Sequence, residues 1–284
     1  MRAHFCGTRG STPAPGAAFV RYGGHTSCIA LSTDTEGPTL LLDAGTGLRN
    51  VGDLLGGRPF RGTVLLSHLH WDHVQGIPFF PSGDRAEARV TLMIPSQEDG
   101  ADAETVLSRM MSPPLFPIWP KDLRGEWVFG DLPAAAFSTA GAEVEGFNVM
   151  ARDVPHKGGR TVGYRVSHHG SSIAYIPDHC PTTFGAGPEG WGEYHANALE
   201  LAQGVDVLIH DAHLLASEVA EQGSFGHAAA DYAVELGRRA GAAEVVLFHH
   251  SPTRTDQEID ELAEGLSSAS LPVRGAVQGT DLIL

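Results

Sequence analysis

The sequence predicts an α/β (α+β) domain spanning residues 1–284, and three observations carry that expectation. Short aliphatic runs bounded by glycine and proline dominate the first half. Apolar residues at helical spacing appear mainly in the second half. Histidines gather where the apolar runs end. With 284 residues, 42% of them hydrophobic, the chain can bury one large core, and no linker divides it.

In chain order, GTRGSTP (7–13) reads as a turn, and HTSCIALST (25–33) with PTLLLD (38–43) as a hairpin of β-branched and aliphatic residues. The glycines after Asp43 suit a tight turn that stops the strand. TVLLS (63–67) is a buried strand, and 98–110 after residues 86–95 has helical character. The segment 111–120 (MSPPLFPIWP) holds four prolines and cannot be regular structure. It is treated as an insert whose Leu115, Phe116, Ile118 and Trp119 either face a substrate or pack on their own core. Strands are expected at 147–154, 163–167, 173–176, 205–210, 244–248 and 277–284, with a short hairpin turn around 168–171. Helices are expected at 193–203, 227–240 and 256–266. In the second of these, Ala230, Ala233, Val234 and Leu236 mark one face, and Asp231, Glu235 and Arg238 the other.

Acidic residues outnumber basic ones by 34 to 19, a net charge of −15. Such a chain lacks the basic surface by which proteins neutralise phosphates of a long nucleic acid. A small substrate is therefore expected, and no long nucleic acid. No apolar run reaches the roughly 20 residues that span a bilayer, so no membrane partner is expected. The N-terminus has no apolar stretch ahead of a small-residue cleavage site, which makes the cytoplasm the expected compartment. Cys6, Cys28 and Cys180 are too scattered for a disulfide framework or zinc ribbon, and read as buried thiols. A homodimer is compatible with the sequence.

The chemistry is concentrated in SHLHWDHVQG (67–76). Imidazole nitrogen and carboxylate oxygen suit zinc and related divalent ions. In extended backbone, residues two apart point to the same side, so His68 and His70 can share one ion. Asp72 and His73 follow where the chain turns and can face a second. A plain run of surface histidines is the competing reading.

His-x-His-x-Asp-His after an apolar strand resembles the signature of the metallo-β-lactamase superfamily, and the Asp43-Ala-Gly turn resembles its first motif. The resemblance implies a four-layer αββα sandwich with two divalent ions, zinc in first place and manganese as the alternative. It implies that His156 completes the first ion's ligands, Asp178 bridges the pair, and His249 completes the second set, with His250 as the adjacent competitor. A carboxylate can span two ions about 3.5–4 Å apart, the spacing that clamps an in-line displacement. Superfamily members with aspartate rather than cysteine at that position cleave phosphodiesters. The competing reading of Asp178 is a turn residue ahead of Pro181.

The turn at 7–13, Asp211 and His227 are similar to one branch, that of tRNA 3′-processing ribonucleases and small-molecule cyclic phosphodiesterases. There a histidine at the position of His227 protonates the leaving oxygen, oriented by an acid at the position of Asp211. Against this stands a solvent-facing His227 at a helix start. The chain departs from the ribonucleases in having Ala228-Ala229 where they have Ser-Thr, and in lacking their long basic arm. The expected function is thus hydrolysis of a small phosphodiester by a hydroxide shared between the ions, with Asp72, Asp211 and His227 as its catalytic set. The rivals are a lactone, thioester or β-lactam hydrolase, an iron redox protein (disfavoured by His70), and a non-catalytic sensor. His213 is left between supporting a metal ligand and ending a strand, while His4, His25, His169, His179 and His195 carry no role.

Overall fold

The computed structural model describes residues 1–33, 37–132 and 141–284. Among these, the strands are β1 (Arg2–Gly7), β2 (Cys28–Ser32), β3 (Leu40–Leu42), β4 (Arg61–Leu65), β5 (Arg89–Pro95), β6 (Glu126–Leu132), β7 (Ala142–Val144), β8 (Phe147–Asp153), β9 (Val162–His168), β10 (Ser171–Ile176), β11 (Val207–Asp211), β12 (Glu244–Phe248), β13 (Val273–Gly275) and β14 (Asp281–Ile283). They form two seven-stranded sheets, ordered β14-β1-β2-β3-β4-β5-β6 and β13-β12-β11-β10-β9-β8-β7. Each sheet has an antiparallel part, and each has a parallel part, β3 to β6 and β10 to β13.

Parallel neighbours need crossover connections, and these carry the helices. In the first sheet they are α1 (Val51–Leu54), α2 (Trp71–Val74) and α3 (Ala103–Ser108); in the second, α4 (Ala196–Ala202), α5 (Val219–Gln222), α6 (Ala230–Ala240) and α7 (Asp256–Leu266). The parallel strands explain the continuous apolar runs, because both of their faces are covered. Ile173 and Tyr175 of β10 point between the sheets while Ala174 and Ile176 point to the helices. β12 alternates likewise, with Val246 and Phe248 in the inter-sheet core and Val245 and Leu247 outside it. A third apolar cluster, including Leu41, Val64 and Leu92, lies on the other face of the first sheet. Helix, sheet, sheet and helix thus make the expected four layers, each fully buried leucine or phenylalanine contributing about 1.5–3 kcal/mol.

Several expected boundaries shift for local reasons. The helix at 227–240 begins at Ala230, because Ala228 N–H donates to Asp211 (3.1 Å) and Ala229 bridges to Leu214, holding 227–229 extended. The helix at 98–110 shortens to α3, capped by the Asp102 carboxylate accepting from Thr105 N–H. That at 193–203 shortens to α4. The final strand shortens to β14, because Thr280 N–H turns back to the Val277 carbonyl. Strands β1, β6, β7 and β13 are additions, and β5 occupies the segment 86–95; β6 is an edge strand whose alternation is poor. No helix among the described residues is long and apolar enough to cross a membrane.

Candidate metal centre

The parallel strands also set the site, since ligands in such sheets gather beyond the carboxyl ends of the strands. Asp43 follows β3, His68 follows β4, Asp178 follows β10, Asp211 ends β11 and His249 follows β12. His156 lies just beyond β8. Residues as far apart in sequence as Asp43 and His249 thereby meet at one rim.

All seven expected ligands are brought together. The nitrogens of His68, His70 and His156 lie within 4.8 Å of one another, as do the ligand atoms of Asp72, His73 and His249. Asp178 stands between the two groups. Its Oδ1 faces His156 Nε2 (3.5 Å) and His68 Nε2 (3.9 Å), and its Oδ2 faces His73 Nε2 (2.9 Å) and His249 Nε2 (3.3 Å). Among the described residues, His68 Nε2 is buried without a hydrogen-bond partner. Converging lone pairs with an orphaned imidazole nitrogen and two carboxylates form a donor set that fits divalent cations.

The choice between the adjacent histidines follows from backbone geometry. His249 adopts a left-handed conformation (φ 56°), rare for such a residue, which aims Nε2 at Asp72 Oδ2 (3.0 Å). His250 points the other way, its Nε2 on the Ala276 carbonyl (3.0 Å) and its ring edge-on to Tyr22. Gly10 in the N-terminal turn packs flat against the His249 ring; a Cβ there would fall 2.3 Å from Nδ1. The same turn donates Ser11 N–H to Asp72 Oδ2 (2.7 Å) and is anchored by fully buried Arg9, which donates to the Gly23, Ser251 and Arg254 carbonyls.

Asp43 is the buried support of the centre, a role that the turn motif suggested only by resemblance. Its carboxylate faces His73 Nδ1 (2.8 Å) and accepts from Ser67 N–H (2.6 Å), Ser67 Oγ–H (2.9 Å) and Tyr175 O–H (2.7 Å). Its own φ is 61°, a left-handed conformation that aspartate and asparagine tolerate. Asp43→Ala is expected to cost about 3–5 kcal/mol in urea unfolding, because it strands these buried donors, and to weaken metal binding about 10–100-fold. Asp43→Asn should keep more stability. Unfolding curves and metal titrations of both variants check this.

Charge divides the histidines. Burial lowers the pKa of His68, His70 and His156, favouring the neutral rings that can ligate a cation. Burial acts the same way on His73, but Asp72, Asp178 and Asp43 outweigh it and hold its pKa well above 6.5. Asp178 is held well below the usual carboxylate range by His249, His73 and His68, against the opposing effect of burial. In the metal-free chain these carboxylates favour the protonated His73 ring. A cation binding there must displace a proton from that ring, so apparent metal affinity should rise about tenfold per pH unit above pH 6.5 until His73 titrates. Calorimetry in buffers of different ionisation enthalpy reads that released proton directly.

The second constellation is also assembled. His227 Nδ1 lies 3.3 Å from Asp211 Oδ2 and 3.5 Å from Asp178 Oδ1, so it faces the centre rather than open solvent. Asp211 is fully buried and fixed by N–H donors from His179 (3.1 Å), Ala228 (3.1 Å) and His213 (3.0 Å). His213 stacks on His227, with ring centroids 4.3 Å apart and 18° between planes, and burial with His227 pushes its pKa down to about 3. The histidine three residues past His210 was a signal for this place. The Pro-rich segment divides: Leu115 and Phe116 line a cleft beside the centre, Ile118 packs on the core, and Trp119 stacks under the Lys121 ammonium (5.9 Å).

The fold and this donor set define a class, metal-dependent hydrolases built as αββα sandwiches. Residues 39–250 match the model of the Beta-lactamase superfamily domain, and the chain belongs to that family. It is 24% identical to a ribonuclease Z of Anoxybacillus flavithermus over 93% of this chain and 91% of that one. A ribonuclease Z of Exiguobacterium sibiricum is 43% identical, but over only 22% of this chain and 20% of that protein. Among solved structures, the metallo-beta-lactamase fold protein YhfI from Bacillus subtilis matches with a TM-score of 0.71 at 15% identity, covering 99% of both chains. A diphosphatase from the PhnP family matches with a TM-score of 0.65 at 18% identity, covering 100% of this chain and 97% of that one.

Proposed function

We propose that the protein is a dinuclear metal-dependent phosphodiesterase acting on a small diester, cyclic diesters included. The observation that carries this reading is the placement of Asp178, one oxygen toward His68 and His156 and the other toward His73 and His249. His68, His70 and His156 would hold one ion, Asp72, His73 and His249 the other, and Asp178 would bridge them. Zinc fits this nitrogen-rich set first and manganese second. Two such ions would lower the pKa of a water towards neutrality and offset charge on the phosphoryl oxygens.

The side chains supply position and protons. Asp43 orients His73, the N-terminal turn orients Asp72 and His249, and Asp211 holds His227 by its Nδ1. That leaves the other His227 nitrogen to give a proton to the departing alkoxide, with Asp72 and Asp211 completing the catalytic set. The ribonuclease Z relatives support phosphodiester chemistry. The net charge of −15 argues against a long nucleic acid as this chain's substrate.

Hydrolysis of bis(p-nitrophenyl) phosphate with zinc or manganese tests the reading. Wild type should release nitrophenol only when metal is present, and His68→Ala should lose essentially all of that rate. Metal-loaded wild type that leaves this diester intact but opens lactones or thioesters would overturn the phosphodiesterase assignment.

A further inference from the structure

We propose that the cleft beside His70 binds a neutral, apolar organic group carried by the substrate, so that the diester joins phosphate to an aryl or alkyl alcohol rather than to a polynucleotide. This deepens the function proposed above and rests on it. The cleft has a volume of about 780 Å³, within the range of small-molecule sites. Leu69, Trp71, Phe79, Met110, Leu115 and Phe116 line it. Trp71, Phe79 and Leu115 are 74%, 63% and 73% exposed, and exposed large apolar side chains converging on one concavity mark a binding surface. Phe79 and Phe116 meet edge to face with centroids 5.8 Å apart, a geometry that leaves a ring face open for stacking.

Position ties this cleft to the metal centre. Leu69 and Trp71 flank His70 in sequence, and Gly158, another lining residue, lies so close that a Cβ would sit 2.8 Å from His70 Nε2. A phosphoryl group held by the ligand cluster therefore has one ester arm at the cleft mouth. The charges there do not suit a polyanion. Arg109 is paired with Asp99 (2.6 Å) and Arg160 with Asp153 (2.8 Å), while Glu98 adds a carboxylate at the rim. Lys157, next to the glycine, donates instead to the Ser224 carbonyl (3.0 Å).

Diphenylphosphinate and dimethylphosphinate carry the same anionic head and P–C bonds that resist hydrolysis. Calorimetric titration of the metal-loaded protein should show the diphenyl compound binding tighter by at least about tenfold, from burial of its rings. Leu115→Asp and Phe79→Ser, each checked for native circular dichroism, should remove most of that advantage. Equal affinities in wild type, or an advantage kept in both variants, would overturn the proposal. So would a dimer in sedimentation that dissociates in Leu115→Asp without ligand discrimination, because the cleft would then belong to a second copy. A phenyl advantage without cleavage of any diester would leave the cleft standing and remove the phosphodiesterase reading.

Discussion

Asp178→Ala is expected to lower kcat/KM on a phosphodiester by about three orders of magnitude, since bridging two cations accounts for several kcal/mol of charge stabilisation. The fold should survive. Asp178 is 1% exposed, but its oxygens face ligand nitrogens rather than backbone groups that hold the sheets. What the substitution removes is the carboxylate that stands between the two candidate ligand groups. His73 and His249 lose a carboxylate partner at 2.9 and 3.3 Å, and His68 and His156 lose theirs at 3.9 and 3.5 Å. Metal content should fall from two ions per chain to one or fewer at micromolar metal, read by elemental analysis beside the rate. Asp178→Asn separates shape from charge: it keeps the volume and one carbonyl oxygen, and should recover little activity. A wild-type rate in either variant would end the two-metal scheme.

The cluster of candidate ligands was legible in sequence because coordination demands particular residue types at particular spacings. His68, His70, Asp72 and His73 follow one strand, and the remaining ligands lie past apolar runs that could only be strand ends. The outer helical layer was legible in the amphipathic face of α6, whereas β10 and β12, buried on both faces, read only as apolar runs. The supports of the site were not. Asp43, Tyr175 and Ser67 meet only after β3, β4 and β10 are stacked, and nothing local marks a tyrosine whose hydroxyl reaches a carboxylate 132 positions away. Gly10 looks like any turn glycine until the His249 ring is placed against it. The helix starting at 227 was misjudged for the same reason. A long-range acceptor, Asp211, claims the Ala228 amide that a local reading assigns to a helix. Local pattern therefore identified the donors, while the groups that aim them emerged from topology.

His227→Ala is expected to lower kcat/KM by about 10²–10⁴-fold on a diester with an alkyl leaving group, the usual contribution of a positioned proton donor. The same variant should cut a p-nitrophenyl ester at close to the wild-type rate, because nitrophenolate departs without a proton. The contrast isolates the donor role: a ring that merely packed beside His213 would reduce both rates alike. The pH profile supplies a second reading. Burial favours the neutral ring, but Asp211, and behind it Asp178, outweigh burial and raise the metal-free pKa of His227 to about 9. Two cations beside it would lower that value, so the loaded enzyme should lose the proton at lower pH than the metal-free chain. Because the donor works only while protonated, the alkyl-ester rate should fall as pH rises through that pKa. In His227→Ala this alkaline limb should vanish, and in Asp211→Asn it should move to lower pH as the partner charge is lost. An alkaline limb unchanged in both variants would assign it to another group and leave the departing oxygen without its proton donor.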